Sequence, residues 1–173
     1  MGLYVVYNGP APTTASQVAV TTGTAIKTML QLKLGGSTNQ VGKIVEWGIS
    51  FDGSAAATPI EVELLSTGTV AATITEFLAA DIINLTDPNA AAVTDDFPLA
   101  FTAAGDESGY TGTAEGSITA TREFDVQFIA PTNQYVKQFP LGREPNVKNS
   151  EFLRVRVTAG TAVNAYCYIV FEV

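Results

Sequence analysis

The sequence predicts an all-β protein, an antiparallel, jelly-roll-like sandwich of about eight to ten short strands with one long acidic loop insertion. Apolar and polar residues alternate with a period of two in one segment after another, as they do in half-buried strands. These segments are rich in Thr, Val and Ile, which favour strands, and residues typical of turns separate them. No helical pattern alternates with the strands, so a βαβ architecture is disfavoured. The 173 residues, 46% of them hydrophobic, fit a single domain over residues 1–173.

The alternating segments follow one another along most of the chain. The clearest lie at residues 26–34, 45–51, 60–64, 124–128, 153–157 and 163–173. Weaker candidates lie at residues 3–7, 17–21, 69–73 and 134–139. Gly35, Gly53 and Pro131 follow the first, second and fourth clear strands, where the chain has to turn. We expect the apolar side of each strand to face one shared core.

Two segments depart from this pattern. Residues 1–16 contain Pro10 and Pro12, which favour extended backbone, and we predict an extended N-terminal segment there. Residues 76–117 carry many acids and no Lys or Arg, and we predict a long loop or insertion. Its large apolar side chains either pack on the protein's own sheet or form a patch for a partner; they are Phe77, Leu78, Ile82, Ile83, Phe97 and Phe101.

Composition and charge exclude several classes of function. The chain has no histidine and one cysteine, which excludes His-based catalytic triads, His-ligated metal sites and internal disulfides. The net charge is −8 and no basic stripe is present, so we expect no nucleic-acid partner. No apolar run is long enough for a membrane helix or a signal peptide, and we expect synthesis in the cytoplasm and no membrane partner. We predict no cofactor and no metal.

Carboxylates are the first groups that invite a chemical interpretation. Five side chains could offer oxygen ligands to calcium without the spacing of a dedicated loop: Asp81, Asp87, Asn89, Asp95 and Asp96. Glu61 and Glu63 share one face of a strand about 7 Å apart, a separation within the range of inverting glycosidases. Because neighbouring acids are common on exposed strands, we predict no catalytic residues.

Three other groups have a structural and a functional interpretation. Cys167 falls on the apolar side of its strand, so we expect a buried, unreactive thiol. Arg154 and Arg156 share one side of a strand, where they either bind phosphate or pair with acids of a neighbouring strand. Tyr166 and Tyr168 share the polar side of the last strand, which suits a packed layer, a subunit contact or a sugar platform.

Several runs of the chain carry a resemblance to a known family. They are KTMLQLKL (27–34), KIVEWGISFDG (43–53), PIEVELL (59–65), YVKQFPLGREPNVK (135–148), FLRVRV (152–157) and NAYCYIVFEV (164–173). In these runs the sequence resembles small head proteins encoded beside the capsid gene in tailed bacteriophages. The resemblance implies a capsid decoration, or cement, protein: a β-rich module, often a homotrimer, that binds the outer surface of the virion where subunits of the major capsid protein meet. The runs are strand and turn motifs without a catalytic signature, and we expect no enzyme.

Extended termini and loops are the segments with which such a protein would reach neighbouring subunits. The candidate contact residues are Leu3, Tyr4, Pro10, Pro12, Phe97, Phe101, Arg143 and Glu144. Two alternatives stay open. One is a carbohydrate- or receptor-binding sandwich module of a virion that uses Tyr110, Tyr166 or Tyr168. The other is the shell-forming subunit of a small virus, although residues 1–26 lack the basic arm that such subunits often carry.

Overall fold

The computed structural model describes residues 2–36, 39–54, 58–91, 93–94, 97–101 and 107–173 of the chain. The strands in these ranges are β1 Leu3–Tyr7, β2 Val20–Thr21, β3 Lys27–Lys33, β4 Val41–Phe51, β5 Ile60–Ser66, β6 Thr73–Glu76, β7 Ile83–Asn84, β8 Gly109–Ala114, β9 Arg122–Ile129, β10 Gln134–Gln138, β11 Asn146–Lys148, β12 Phe152–Thr158 and β13 Asn164–Glu172. One 3₁₀ turn, Ala79–Asp81, precedes β7. No helix within the described ranges has the length and apolar composition needed to cross a membrane.

The strands form two antiparallel sheets. The first sheet has the order β10-β4-β13-β1-β7, with β11 also paired to β4 and β2 to β13, and the second has the order β6-β8-β3-β12-β5-β9. Four pairs are nested along the chain: β1 with β13, β3 with β12, β4 with β10, and β5 with β9. Successive nested pairs alternate between the two sheets, which is the jelly-roll arrangement. The predicted fold class is therefore confirmed, and short strands supplement the expected ones.

The core lies between the two sheets. Trp47, Ile169 and Phe171 of the first sheet belong to one buried cluster with Leu64 and Val155 of the second. Each large side chain buried in this way stabilises the folded state by about 1.5–3 kcal/mol relative to an exposed position. The alternation of apolar residues thus predicts the inward faces of β12 and β13 correctly. In β4 it is correct from Trp47 to Phe51, but a register shift places Ile44 and not Val45 in the core.

From Asp125 onward, strand β9 is reversed relative to the expectation from its alternation, whereas Phe124 packs against the core as expected. Phe128 is 72% exposed on the outer face, while Asp125 points toward the core side. The register explains the reversal, because Phe128 lies opposite Glu61 and Val126 lies opposite Glu63. Directly opposite residues share a face of a sheet, and the acids of β5 face outward.

The two irregular segments contain more regular structure than expected. Residues 3–7 of the predicted extended N-terminal segment form β1, an inner strand between β13 and β7. The predicted loop at 76–117 contains β7 and all of β8, which pairs with β3 and β6. Phe77, Ile82 and Phe101 of this segment are buried in the protein's own core. The alternative in which these apolar residues pack internally is correct for these three.

Candidate functional site

Exposed apolar side chains surround β7, the strand at one end of the first sheet. The backbone N–H of Leu85 donates to the carbonyl of Leu3 at 2.8 Å and so holds the chain after β7 against β1. Around this strand, Leu78, Ile83, Leu85 and Phe97 expose much of their side chains to water. We call these four residues the β7 edge. Apolar groups gathered in this way are typical of a surface that a partner covers.

A groove of about 460 Å³ lies beside the β7 edge. Its walls are mainly small or apolar and include Ala79, Ala80, Ile82, Ala90 and Val93. An extended segment or an apolar side chain of another protein fits a groove of this chemistry.

Asp81 fixes the backbone around this groove. Its side chain is buried, and one carboxylate oxygen accepts a hydrogen bond from the N–H of Ala11 at 2.6 Å while the other accepts from Leu78 at 2.8 Å. Asp87, another carboxylate that could offer an oxygen to calcium, accepts a hydrogen bond from the N–H of Asn89. Asp95 and Asp96 lie outside the described residues. Within the described part of the chain, no three acidic, Cys or His residues cluster as a metal site would require.

The fold brings several predicted contact residues to the β7 edge, although not all of them are accessible. Leu3 lies in β1 beside β7, and Pro10 precedes the residue that Asp81 binds. Tyr4 is only 6% exposed and stacks on Phe171, so the expectation that it contacts a partner is wrong for this structure. The ring of Phe97, which is 47% exposed, lies edge-on to Tyr4 at 6.4 Å.

Two further contact candidates, Phe101 and Pro12, differ in their exposure. Phe101 is buried in the core cluster, so it is not a surface contact. Pro12 is exposed in the segment that follows β1.

The remaining candidates lie at the opposite end of the first sheet. β10 and β11 both pair with β4, and residues 140–144 leave this ladder between them as a loop. Arg143 and Glu144 lie in the loop, which turns through Gly142 with a positive φ of 80°. Leu141 at its tip is 96% exposed. Sequence alternation cannot single out Leu141, because a lone leucine in a turn has no periodic pattern.

The two acids of β5 do not form a free carboxylate pair. The guanidinium of Arg156 donates to both carboxylate oxygens of Glu63, at 2.9 and 3.1 Å. Arg156 and Glu63 are opposite each other in the β12–β5 register, so a cross-strand ion pair follows from the fold. Arg156 therefore pairs with an acid of a neighbouring strand.

Arg154 lies on the same outward side of β12 but is completely buried, because loops cover this part of the second sheet. Its guanidinium donates to a carboxylate oxygen of Glu115 at 3.2 Å, to the carbonyl of Glu115 at 3.0 Å and to the carbonyl of Val70. Glu115 in turn accepts from the backbone N–H and the hydroxyl of Thr28, each at 2.6 Å. Burial lowers the pKa of Arg154 to about 10, and the charge of Glu115 opposes this shift. Arg154 is a structural tie between two loops and the sheet.

Three tyrosines of the first sheet, Tyr7, Tyr166 and Tyr168, lie on its outer face. Tyr7 lies opposite Tyr168 in the β1–β13 register, with ring centroids 6.0 Å apart, and Tyr166 precedes them on β13. Tyr110, the third tyrosine of the sugar-platform alternative, lies in the second sheet against Phe77 and is separate from this face. Cys167 points into the core between the two tyrosines, and burial raises the pKa of its thiol, so the predicted buried thiol is confirmed.

A polar cluster links the two sheets at their β9 and β10 edges. Asp125 of β9 accepts hydrogen bonds from the indole N–H of Trp47 at 3.2 Å and from the hydroxyl of Tyr135 at 2.8 Å. The rings of Trp47 and Tyr135 pack edge to face, 5.5 Å apart. Burial, followed by the hydrogen bond and the charge of Asp125, raises the pKa of Tyr135 to about 12.

This cluster predicts a specific alkaline titration. The folded pKa of Tyr135 lies above its ordinary value of 10.0, so the stabilisation from its proton is complete below pH 10 and is lost as the pH rises toward about 12. The Asp125→Asn variant removes the negative charge, and we expect Tyr135 to titrate at a lower pH in that variant. Tyrosinate absorbance during a pH titration measures this, with the Tyr135→Phe protein identifying the step. An unchanged step in Asp125→Asn would contradict the assignment.

Comparisons with protein-family models and with curated proteins find no match to this chain. The interpretation of its surfaces therefore depends on geometry and chemistry. The described residues present exposed apolar side chains at both ends of one sheet, four at the β7 edge and Leu141 at the other end, with a tyrosine-lined face between them. Such surfaces are suited to binding.

Proposed function

We propose that this protein is a capsid decoration protein, which binds the outside of an assembled phage head and stabilises the shell by bridging capsid subunits. The observation that carries the proposal is the position of its exposed apolar side chains, with the β7 edge at one end of the first sheet and Leu141 in the 140–144 loop at the other. β1, β13 and β4 lie between them and are paired along their lengths. A rigid module with two separate contact surfaces is able to hold two neighbouring subunits at once.

Bridging explains how a protein without a reaction step can stabilise a shell. A ligand that binds the intact shell better than separated subunits shifts the equilibrium toward the intact shell. Many copies on a repeating lattice add their modest contributions, and a homotrimer, which the sequence resemblance implies, would engage three sites together. The net charge of −8 suits an outward-facing module that stays soluble before it binds.

Co-sedimentation with empty, expanded heads that lack the protein tests this proposal. We expect Leu85→Ser at the β7 edge and Leu141→Ser in the loop each to weaken binding about tenfold, because each removes an apolar contact at the centre of its surface. Heads decorated with either variant should also lose protection against heat, since a module held at one end no longer bridges.

Phe128→Ser is the matched control, because Phe128 is also strongly exposed but lies on the outer face of the second sheet. It should bind like the parent protein. Full occupancy and full protection by the double variant Leu85→Ser, Leu141→Ser would overturn the proposal. Deleting residues 2–12 is a poorer test, since it removes β1 and with it part of the sheet.

A further inference from the structure

A shallow depression of about 280 Å³ lies on the outer face of the first sheet. Its floor follows one row of the sheet, in which Val136, Gly48, Tyr168 and Tyr7 are successive cross-strand neighbours on β10, β4, β13 and β1. Tyr166 adds a further aromatic ring at the rim. Four strands of a paired sheet therefore form most of the depression, and Gln17 from the segment between β1 and β2 completes its rim.

Gly48 allows the ring of Tyr168 to lie flat over the strand. A Cβ atom at position 48 would be 2.5 Å from Cε1 of Tyr168 and 2.9 Å from its Cζ, so any larger residue would push the ring away. The hydroxyl of Tyr168 donates to a carboxylate oxygen of Glu46 at 2.6 Å, which holds the same end of the ring over the strand. An aromatic face held in this way is preorganised for a ligand.

Polar groups that suit a hydroxylated ligand surround these rings. The side-chain nitrogen Nε2 of Gln17 is buried and has no hydrogen-bond partner among the described residues. The backbone carbonyl of the same residue accepts from the hydroxyl of Tyr166 at 3.0 Å, which places Gln17 at the rim. Buried donors in proteins nearly always have a partner, so this amide has an unfilled bond to offer. Ser50 and Gln134 add a hydroxyl and a second amide.

The described residues that line the depression are all uncharged. Flat aromatic faces combined with neutral amide and hydroxyl groups match the two sides of a sugar ring, whose C–H face is apolar and whose edge carries hydroxyls. From this combination we propose that the outer face of the first sheet binds a neutral pyranose, with the rings of Tyr166 and Tyr168 against its apolar face and Gln17 donating to a ring hydroxyl. The site goes beyond capsid binding, because it lies on the face between the two apolar surfaces.

Titration with single sugars tests the site directly. The probes are the methyl pyranosides of glucose, galactose, mannose and N-acetylglucosamine, each added to the full chain while ligand-observed NMR records saturation transfer. We expect saturable binding of at least one of them. Tyr166→Ala should weaken that binding about tenfold, because it removes one stacking face. Gln17→Leu should weaken it similarly, because it removes the unpaired donor.

Phe128→Ala serves as the control and should bind the sugar like the parent protein. Near-ultraviolet circular dichroism of each variant verifies that the sandwich is intact. Absence of saturable binding by all four pyranosides, or binding that Tyr166→Ala leaves unchanged in the folded protein, would overturn the proposal. A proline decamer, which also stacks on tyrosines, is titrated in parallel, and saturable binding of the decamer alone would assign the site to a peptide instead. Head co-sedimentation of Tyr166→Ala should stay normal, so the two proposals fail independently.

Discussion

Replacing Arg154 with alanine should lower the free energy of unfolding by about 3–5 kcal/mol. The guanidinium is completely buried and donates to the side chain and carbonyl of Glu115 and to the carbonyl of Val70. Without it, the carboxylate of Glu115 loses its cation, and carbonyls under the covering loops lose their donors. Groups buried without partners cost more than the original pair contributed. Urea unfolding at neutral pH measures the change as a lower midpoint at constant slope.

Arg122→Ala is the matched control for this measurement. Arg122 also pairs with an acid, Glu151, but at 3.5 Å and with more than half of its side chain exposed. Exposed pairs of this kind contribute about 1 kcal/mol or less. Equal losses in the two variants would mean that the buried network contributes no more than a surface ion pair.

Replacing Trp47 with alanine should have an effect of similar size, about 3–5 kcal/mol. Its side chain is the largest that the core contains with no exposed surface, and it packs between the sheets where β4 faces β9. The substitution leaves a cavity and also removes the indole N–H, which donates a hydrogen bond to Asp125. Thermal and urea unfolding both report the loss, and the Tyr135 titration should shift as well because its aromatic neighbour is gone.

Phe128→Ala is a fitting comparison for Trp47→Ala. It too removes a large aromatic side chain, but one that is 72% exposed, and surface substitutions of this kind stay within about 0.5 kcal/mol. If Phe128→Ala destabilised the monomer as much as Trp47→Ala, the assignment of β9's outer face would be wrong.

The alternation of residues in the sequence predicts an all-β sandwich and most of the inward faces of β4, β12 and β13, because each strand is long enough to repeat the pattern. β7 and β11 have only two or three residues and contain too little alternation to be recognised, and β2 forms only the last two residues of the candidate at 17–21. β8 is hidden for another reason. Its Gly109 is required by a close approach, since a Cβ there would be 2.1 Å from the carbonyl oxygen of Thr75, and glycine weakens a strand pattern.

The candidate surfaces depend on pairings that alternation cannot supply. Tyr166 and Tyr168 are recognisable in the sequence because they are neighbours on one strand. Tyr7 joins them only through the β1–β13 register, which links opposite ends of the chain. Gln17 lies beside them because its backbone carbonyl accepts a hydrogen bond from the hydroxyl of Tyr166. For the same reason the sequence does not distinguish Tyr4 from Phe97 as contact residues, although the fold buries the ring of Tyr4 and leaves that of Phe97 about half exposed.

The pairing of β1 with β13 also has a consequence for how the protein is made. Residues 3–7 leave the ribosome first among the strands, yet their main partner, Asn164–Glu172, is synthesised last. During translation the backbone groups of β1 that pair with β13 have no partner until β13 is made. Contacts this distant in sequence also form slowly. A newly made chain is therefore exposed to aggregation until β13 has been synthesised, and chaperone binding before that stage would favour the correct product.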